Sequence, residues 1–387
     1  MTELKGITWN HSRGFTPLVA CCQRYAEQHP GVHVEWHKRS LQAFADFSVE
    51  ALSKQYDLLI IDHPSVGEAF ENKCLVDFHQ YLSGDILDEL SANSTGLSYK
   101  SYTYKNAQLA LPVDAATPVS SYRKDLLQQH NLPVPQTWEA LIALAEKGKV
   151  AMPAIPIDML MNFYMFCIAC GSEPFAASNE IIDERTGNHA LQLMAELYSR
   201  LDDKMFHCNP IAVAELMSAA DDYWYCPFAY GYSNYARKNY AVKPLTFDDV
   251  VSYNGQQFLS TLGGTGIAVS AYSSHINEAV HIATMLASAK IQTGLYVEYG
   301  GQPAHIKAWR SGYANNLTNN FFINTLPALQ RAYVRPRYNG YLQFQDEAGL
   351  VLYKFLKHQN STPANVVQQL NKLYKNSLAT HEKPLTI

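Results

Sequence analysis

The chain has 387 residues, 47% hydrophobic and 17% charged, with a formal net charge of −5. That length exceeds a single core and fits two domains or lobes of ~100–200 residues each. The weakly acidic balance without any Lys/Arg run excludes an electrostatic case for nucleic acid or an anionic membrane, and apolar stretches such as Met159–Ala169 fall short of the ~20 residues of a membrane span.

In chain order, Gly6–Trp9 reads as a strand, Phe15–Gln28 as a helix stopped at Gln28–Gly31, and Val32–His37 as an alternating strand. Leu41–Gln55 has helical period. Asp57–Ile61 is a continuous apolar run, the pattern of a parallel strand buried on both faces. It ends in Asp62–Pro64, and Ser65–Asn72 reads as the next helix. This βαβαβα order predicts a parallel sheet with covering helices. Ligands in such sheets sit beyond the carboxyl ends of the strands, here Asn10–Gly14 and Asp62–His63.

Tyr102–Ser121 reads as strand halves around Asn106, followed by a helix from Tyr122 to His130. Thr137 is the predicted N-cap of Trp138–Lys147. The chain is then mostly helical to about Asp222, where the aromatic block Tyr223–Tyr235 interrupts it. Gly263–Ser270 is a predicted strand, Ser274–Ala289 a helix, and the last third helical with breaks at Pro336 and Pro363. No repeat or low-complexity linker is visible, which suggests that the chain crosses between lobes more than once.

Other features bear on compartment and chemistry. Met1–Lys5 runs straight into Gly6–Trp9 without a basic n-region, an apolar h-region or a cleavage site. Seven cysteines, including the adjacent Cys21 and Cys22, are not a disulfide framework and lean towards a reducing compartment. With 25 Tyr, 16 Phe and 5 Trp the chain has rings for a core and also for stacking on the apolar faces of sugars. His33, Glu35 and His37 share one face of a strand, but a solvated face explains them better than zinc. Cys167 and Cys170 form C-x-x-C inside an apolar run and read as buried thiols. Ser121–Lys124 fits S-x-x-K, and Tyr232–Asn234 faintly echoes penicillin-recognising acyl enzymes, without the K-T-G element. No nucleotide-binding or zinc-protease motif is present.

Four segments in order carry a resemblance: Tyr56–Gly67 followed by Cys74–Phe78; Ala110–Leu126 followed by Pro133–Leu141; Gly263–Ala287; and Gly300–Pro303. Together they resemble the family 1 extracellular solute-binding proteins, the sugar-binding receptors of ABC importers. The resemblance implies an α/β, two-lobed periplasmic-binding-protein-like fold of type II. Each lobe is a mixed sheet flanked by helices, and the ligand cleft lies between the lobes. The implied division is 1–115 plus 267–305 for the first lobe and 116–266 plus 306–387 for the second. It implies a monomer that acts by hinge closure, without cofactor, metal or catalysis, and that delivers a carbohydrate or sugar acid to an ABC permease from the periplasm or cell surface. The chain as printed departs from that pattern in starting without a leader, which leaves a cytoplasmic sensor or carrier as the alternative. A serine acyl enzyme is the remaining one.

A closing receptor needs groups from both jaws. The expected first-lobe set is Trp9, His11, Arg13, Asp62, His63 and Asp114, with carboxylates able to accept two hydroxyls at once. Asp62 and Asp114 also read as helix or turn caps, and Trp9 as core. From the second lobe come Tyr230 and Tyr232, flanking Gly231, although the block also reads as a buried strand. Gly264 and Thr265 are the expected hinge or cleft loop, and Gln302 belongs to the cleft loop that the resemblance implies. His11, Arg13 and His63 together leave room for an anionic ligand, since an Arg fork matches carboxylate or phosphate.

Overall fold

The computed structural model describes residues 1–40, 48–358 and 360–379. The first strand, β1 (Thr2–Trp9), leads into α1 (Ser12–Gln28), whose buried residues Gly14, Pro17, Leu18, Cys21, Cys22 and Tyr25 fall at helical spacing along one stripe. β2 (Val32–Arg39) returns parallel to β1, and β3 (Leu58–Ile61) pairs on its other side. As the apolar run predicts, all four residues of β3 are buried. The front of the expected Leu41–Gln55 helix lies outside the described residues; its end is a short helix, Val49–Ser53.

β4 (Leu111–Ala116) completes this sheet at the far edge and continues through Thr117 into β5 (Pro118–Tyr122) of a second sheet. There β5 lies between β6 (Tyr225–Tyr230) and β7 (Thr246–Asp248), all antiparallel. The chain comes back at β8 (Gly263–Val269), which inserts antiparallel between β3 and β4. The first sheet therefore runs β2-β1-β3-β8-β4, mixed rather than wholly parallel. The reason is topological: β8 enters from the second sheet, at the end where β4 leaves.

Helices of the middle segment are α2 (Trp138–Ala145), α3 (Pro156–Ala169), α4 (Glu184–Tyr198) and α5 (Pro210–Ala219). The Thr137 hydroxyl caps α2 by accepting from the Ala140 N–H, as its position predicts. Pro156 and Pro210 each open their helix, where a missing N–H costs nothing. After β8 come α6 (Ile276–Ala287), α7 (Phe321–Gln330), α8 (Tyr341–His358) and α9 (Pro363–Ala379).

Three buried apolar clusters follow this layout. One face of the first sheet (Leu4, Leu58, Ile60, Val113, Ile267) packs on α1 and α6. The opposite face (Ile7, Leu59, Ile61, Ala268) packs on Val49, Val66, Ala69 and Tyr102. The period-2 alternation of β3 between the two is what a strand covered on both sides requires. The largest cluster joins the second sheet to the middle and C-terminal helices, with Trp138, Phe163, Phe166, Tyr225, Phe228, Phe258 and Phe344 among its members.

Three extended segments lie side by side where the sheets meet. The Thr117 hydroxyl donates to the Thr261 carbonyl, the Ser260 hydroxyl to the Pro118 carbonyl, and Ser260 and Leu262 exchange backbone bonds with Tyr333. Beyond Tyr333, the loop to α8 reaches over the first sheet's side: Arg337 Nη1 donates to the carbonyls of Lys100, Ser101 and Thr103 at 2.8, 3.1 and 2.7 Å. Pro336 sits in this loop, and Pro363 starts α9 rather than breaking it.

Candidate functional site: a cleft between the two sheets

A cavity of about 650 Å³ opens between the carboxyl ends of β1, β3 and β4 on one side and the first turns of α3 and α5, the end of β6 and one stripe of α8 on the other. From the first sheet it is lined by Trp9, Arg13, Asp62, Asp114, Gly264 and Thr265; opposite stand Ile155–Asp158, Met161, Asn209, Tyr230, Tyr232, Leu342 and Gln345.

Arg13 occupies the first turn of α1 because the His11 ring caps that helix, its Nδ1 accepting from the Arg13 N–H. The guanidinium is buried and closed on Asp114: Nε donates to Oδ2 at 2.7 Å and Nη2 to Oδ1 at 2.5 Å, while Nη1 donates to the Gly231 carbonyl at 2.9 Å. Tyr232 lies under it, 4.5 Å from Cζ to the ring centroid. Burial works against the Arg13 charge, but Asp114 outweighs it and raises the pKa further. The Arg13 fork thus meets an internal carboxylate in the place expected for an anionic ligand, and Asp114 directs both oxygens to Arg13.

Asp62 follows β3. Its Oδ1 accepts from the His63 N–H at 2.8 Å, and its Oδ2 meets Arg335 Nη2 at 2.5 Å. Burial alone would raise its pKa; Arg335 and His63 outweigh that and hold it well below the usual carboxylate range. Its side chain stays 34% exposed, so it both caps a turn and faces the cleft. Arg335 Nη1 in turn donates to Gln345 Oε1 at 3.0 Å.

Gly264 adopts φ +97°, and a Cβ there would stand 2.3 Å from the Asp114 carbonyl oxygen, so only glycine fits. The bulge that follows, between Thr265 and Gly266, turns the Thr265 side chain into the cavity. Trp9 packs on Gly14, where a Cβ would meet its ring at 2.3 Å, and is only 4% exposed. It is core and cleft wall together.

Three expected residues lie behind the wall. His11 is edge-on to Tyr232 at 4.8 Å, and burial followed by Arg13 lowers its pKa to about 4. His63 is 1% exposed with Nδ1 3.2 Å from Asp62 Oδ1; burial and then Arg335 lower it to about 4. Both rings are neutral at pH 7 and outside the cavity lining, so neither supplies positive charge to a ligand. Gln302 is fully buried; Nε2 donates to the Ala115 and Gly231 carbonyls and Oε1 accepts from the Ser233 N–H. It ties the two sheets together rather than facing a solute.

A pH dependence follows from His63. Its folded pKa lies below its unfolded value, so the stability it contributes is present above pH ~6.5 and is lost as pH falls towards ~4. Equilibrium unfolding of His63→Asn against pH should lack roughly 1.4 kcal/mol per unit of the wild-type slope in that window. An unchanged slope would show the ring to be charged in the folded state.

Sequence reasoning missed the α3 turn, Asn209, Arg335 and the α8 stripe. Pro156 with Asp158 two residues on is a helix-start signal that could have flagged the first of these; nothing local marks Arg335. Among the described residues, Asp158 Oδ2, Thr265 Oγ1 and Arg335 Nε are buried polar atoms of the lining without a hydrogen-bond partner. They come from α3, β8 and the loop before α8 and converge on one cavity.

The arrangement offers hydrogen bonds, ring faces and paired charges, and not a nucleophile with its base. Ser121 of the S-x-x-K match is 5% exposed within β5 and does not line the cleft. Among the described residues no three His, Cys, Asp or Glu side chains group as metal ligands, and no helix is long and apolar enough to cross a membrane. The cysteines are free; burial raises Cys167 far above the usual thiol range and Cys170 to about 11, as inert thiols behave.

Solved structures share this architecture over nearly its whole length. The maltose-bound MalE3 of T. maritima superposes with a TM-score of 0.85 at 16% identity, over 97% of this chain and 100% of that one. A solute-binding protein of Thermotoga lettingae bound with α-D-tagatose gives 0.83 at 18% identity, over 98% and 100%. The GacH receptor of Streptomyces glaucescens, solved unliganded and with acarbose, gives 0.80 at 15%, over 99% and 100%. At these identities the likeness is one of fold, the expected two-lobed α/β binding-protein fold. No curated protein matches the chain by sequence. Family membership comes from the sequence profile: residues 20–309, three quarters of the chain, match the bacterial extracellular solute-binding proteins, and this is a solute-binding protein of that family, not an enzyme.

Proposed function

We propose that the chain binds a sugar or polyol in the cleft between its two sheets and hands it to an ABC importer outside the cytoplasm. The observation that carries the reading is the convergence of Asp158 Oδ2, Thr265 Oγ1 and Arg335 Nε on a cavity walled by Trp9, Tyr230 and Tyr232. An unsatisfied buried polar atom costs about 1–3 kcal/mol, and a ligand hydroxyl that pairs with it recovers that cost. Ring faces beside them suit the apolar faces of a sugar. Similar structures hold maltose and α-D-tagatose. In this reading Trp9, Asp62, Tyr230, Tyr232, Gly264 and Thr265 touch the ligand, while Arg13 and Asp114 shape the wall.

The expected return boundary at 266/267 moves to Leu262–Gly263, since Gly263–Thr265 already pair with β4; the lobes in this proposal are 1–115 plus 263–305 and 116–262 plus 306–387. The Thr117, Thr261 and Tyr333 segments form the hinge. An anionic solute is the weaker reading, because Arg13 and Arg335 each already hold a carboxylate.

A thermal-shift screen of sugars, polyols, sugar acids and small aromatic acids tests this. Stabilisation by a neutral sugar or polyol is expected, about 2.7 kcal/mol at 100 times its Kd. A flat response across all four classes would sink the reading, and a response confined to sugar acids would reinstate the anionic one.

A further inference from the structure

Resting on the binding reading above, we propose that Asp158 determines specificity in this cleft: its open carboxyl oxygen takes a protonated nitrogen on the ligand, so the preferred solute is an amine-bearing sugar or alditol.

The case begins with position. Asp158 is in the first turn of α3, behind Pro156, and is 7% exposed. A carboxylate there commonly turns back onto the free N–H groups of its own helix. Here Oδ2 makes no hydrogen bond, and the residue lines the cavity. The neighbouring lining, Ile155, Ile157 and Met161, is apolar and offers no donor.

Charge balance points the same way. Three arginines (Arg13, Arg39, Arg335) and four aspartates (Asp62, Asp114, Asp158, Asp346) line the cleft. Arg13 is matched by Asp114 and Arg335 by Asp62. With Asp158 ionised, the described lining carries one negative charge more than positive, which a single cation on the ligand would offset. Among the described residues, groups that feel the Asp158 charge include Tyr198 on α4, Cys226 and Tyr230 on β6, and Tyr232 just after it. None is cationic. Without an opposing charge, burial pushes the Asp158 carboxyl up to about 8, so at pH 7 it holds its proton.

An ammonium ligand reverses that. On binding, Asp158 releases its proton to solvent and the carboxylate pairs with the ligand nitrogen, whose own proton stays in place. The ionised fraction of Asp158 grows tenfold per pH unit below its pKa, so affinity for the cation should rise about tenfold per unit from pH ~6 to ~8 and then level off. A neutral ligand accepting a hydrogen bond from the protonated carboxyl would do the opposite and bind less tightly above pH ~8.

Calorimetry on the full chain tests this with ribitol, glucitol and maltitol, each against its 1-amino-1-deoxy derivative, an alkylamine that stays protonated over the range. At pH ~8 the amine of at least one pair is expected to bind at least about tenfold tighter than its alditol. Its affinity should climb with pH, and titration in buffers of different ionisation enthalpy at pH ~7 should show close to one proton released. In Asp158→Asn the amine-to-alditol ratio should fall to about one and the proton release should vanish. Equal binding within every pair, a preference that survives in Asp158→Asn, or an amine affinity that stays flat or falls with pH would each overturn the proposal. Binding by alditols alone would overturn it and leave the sugar-binding reading standing; binding by none of the six compounds, together with a flat sugar screen, would remove both.

Discussion

Arg13→Met is expected to destabilise the folded chain by about 3–5 kcal/mol, the usual cost of removing one partner from a buried ion pair. The guanidinium makes two bonds to Asp114 and one to the Gly231 carbonyl, and both side chains are almost fully buried. Without it, Asp114 would keep a charge in the interior with no donor to either oxygen and would take up a proton instead. Urea or thermal unfolding of the variant measures the loss. Because the cost lies in the orphaned charge and not in a missing attraction, Arg13→Met combined with Asp114→Leu should recover most of it. A single variant as stable as wild type, or a double variant worse than the single, would contradict the buried-pair account. The Gly231 contact adds a functional consequence. It links α1 of one sheet's side to the Tyr230–Tyr232 stretch of the other, so ligand affinity should drop in the single variant even where the fold survives.

Asp158→Asn should act in the opposite direction on stability. The folded-state pKa of Asp158 is raised to about 8 by burial. For an acid raised in this way, the stabilising contribution is present below the unfolded pKa of ~4 and is lost as pH rises through ~8. Wild type should therefore lose about 1.4 kcal/mol per pH unit relative to Asp158→Asn across that window, on the order of 4 kcal/mol between pH ~4 and ~7. Comparing unfolding free energies of the two proteins at several pH values isolates this group from His11 and His63, whose lowered pKa values tilt both curves equally in the other sense. A constant difference across pH would mean that Asp158 is ionised in the folded chain. A large gain for the variant would mark Asp158 as a residue kept at a cost to stability, as binding groups commonly are.

Much of the fold was legible in the chain itself. The continuous run of Leu58–Ile61 announced a strand covered on both faces, and it is one. The stripe of α1 and the Thr137 cap followed from spacing and local chemistry. What failed locally was orientation. Asp57–Ile61 and Gly263–Ser270 look alike as strands, yet one is parallel to β1 and the other antiparallel to β3, because direction depends on where the chain has been in between.

The site divides along the same line. The chain alone announced strand ends rich in Trp9, Arg13, Asp62 and Asp114, because loops at the carboxyl ends of parallel strands must converge, and these residues do line one cavity. It could not say what each would touch. Arg13 reads as an anion fork until Asp114, 101 residues away, is seen to fill it. His11 and His63 read as charge until burial turns them neutral. Arg335, 273 residues from Asp62, and Asp158, buried without a partner, carry no local signal of their roles. Periodicity, capping and apolar runs act over a few residues, so the sequence by itself determined the elements and their α/β order, while the two-lobed fold was what the family resemblance implied. Pairing and desolvation act through space between segments hundreds of residues apart, so only the tertiary structure decided which polar groups are spent on each other and which remain open to a ligand.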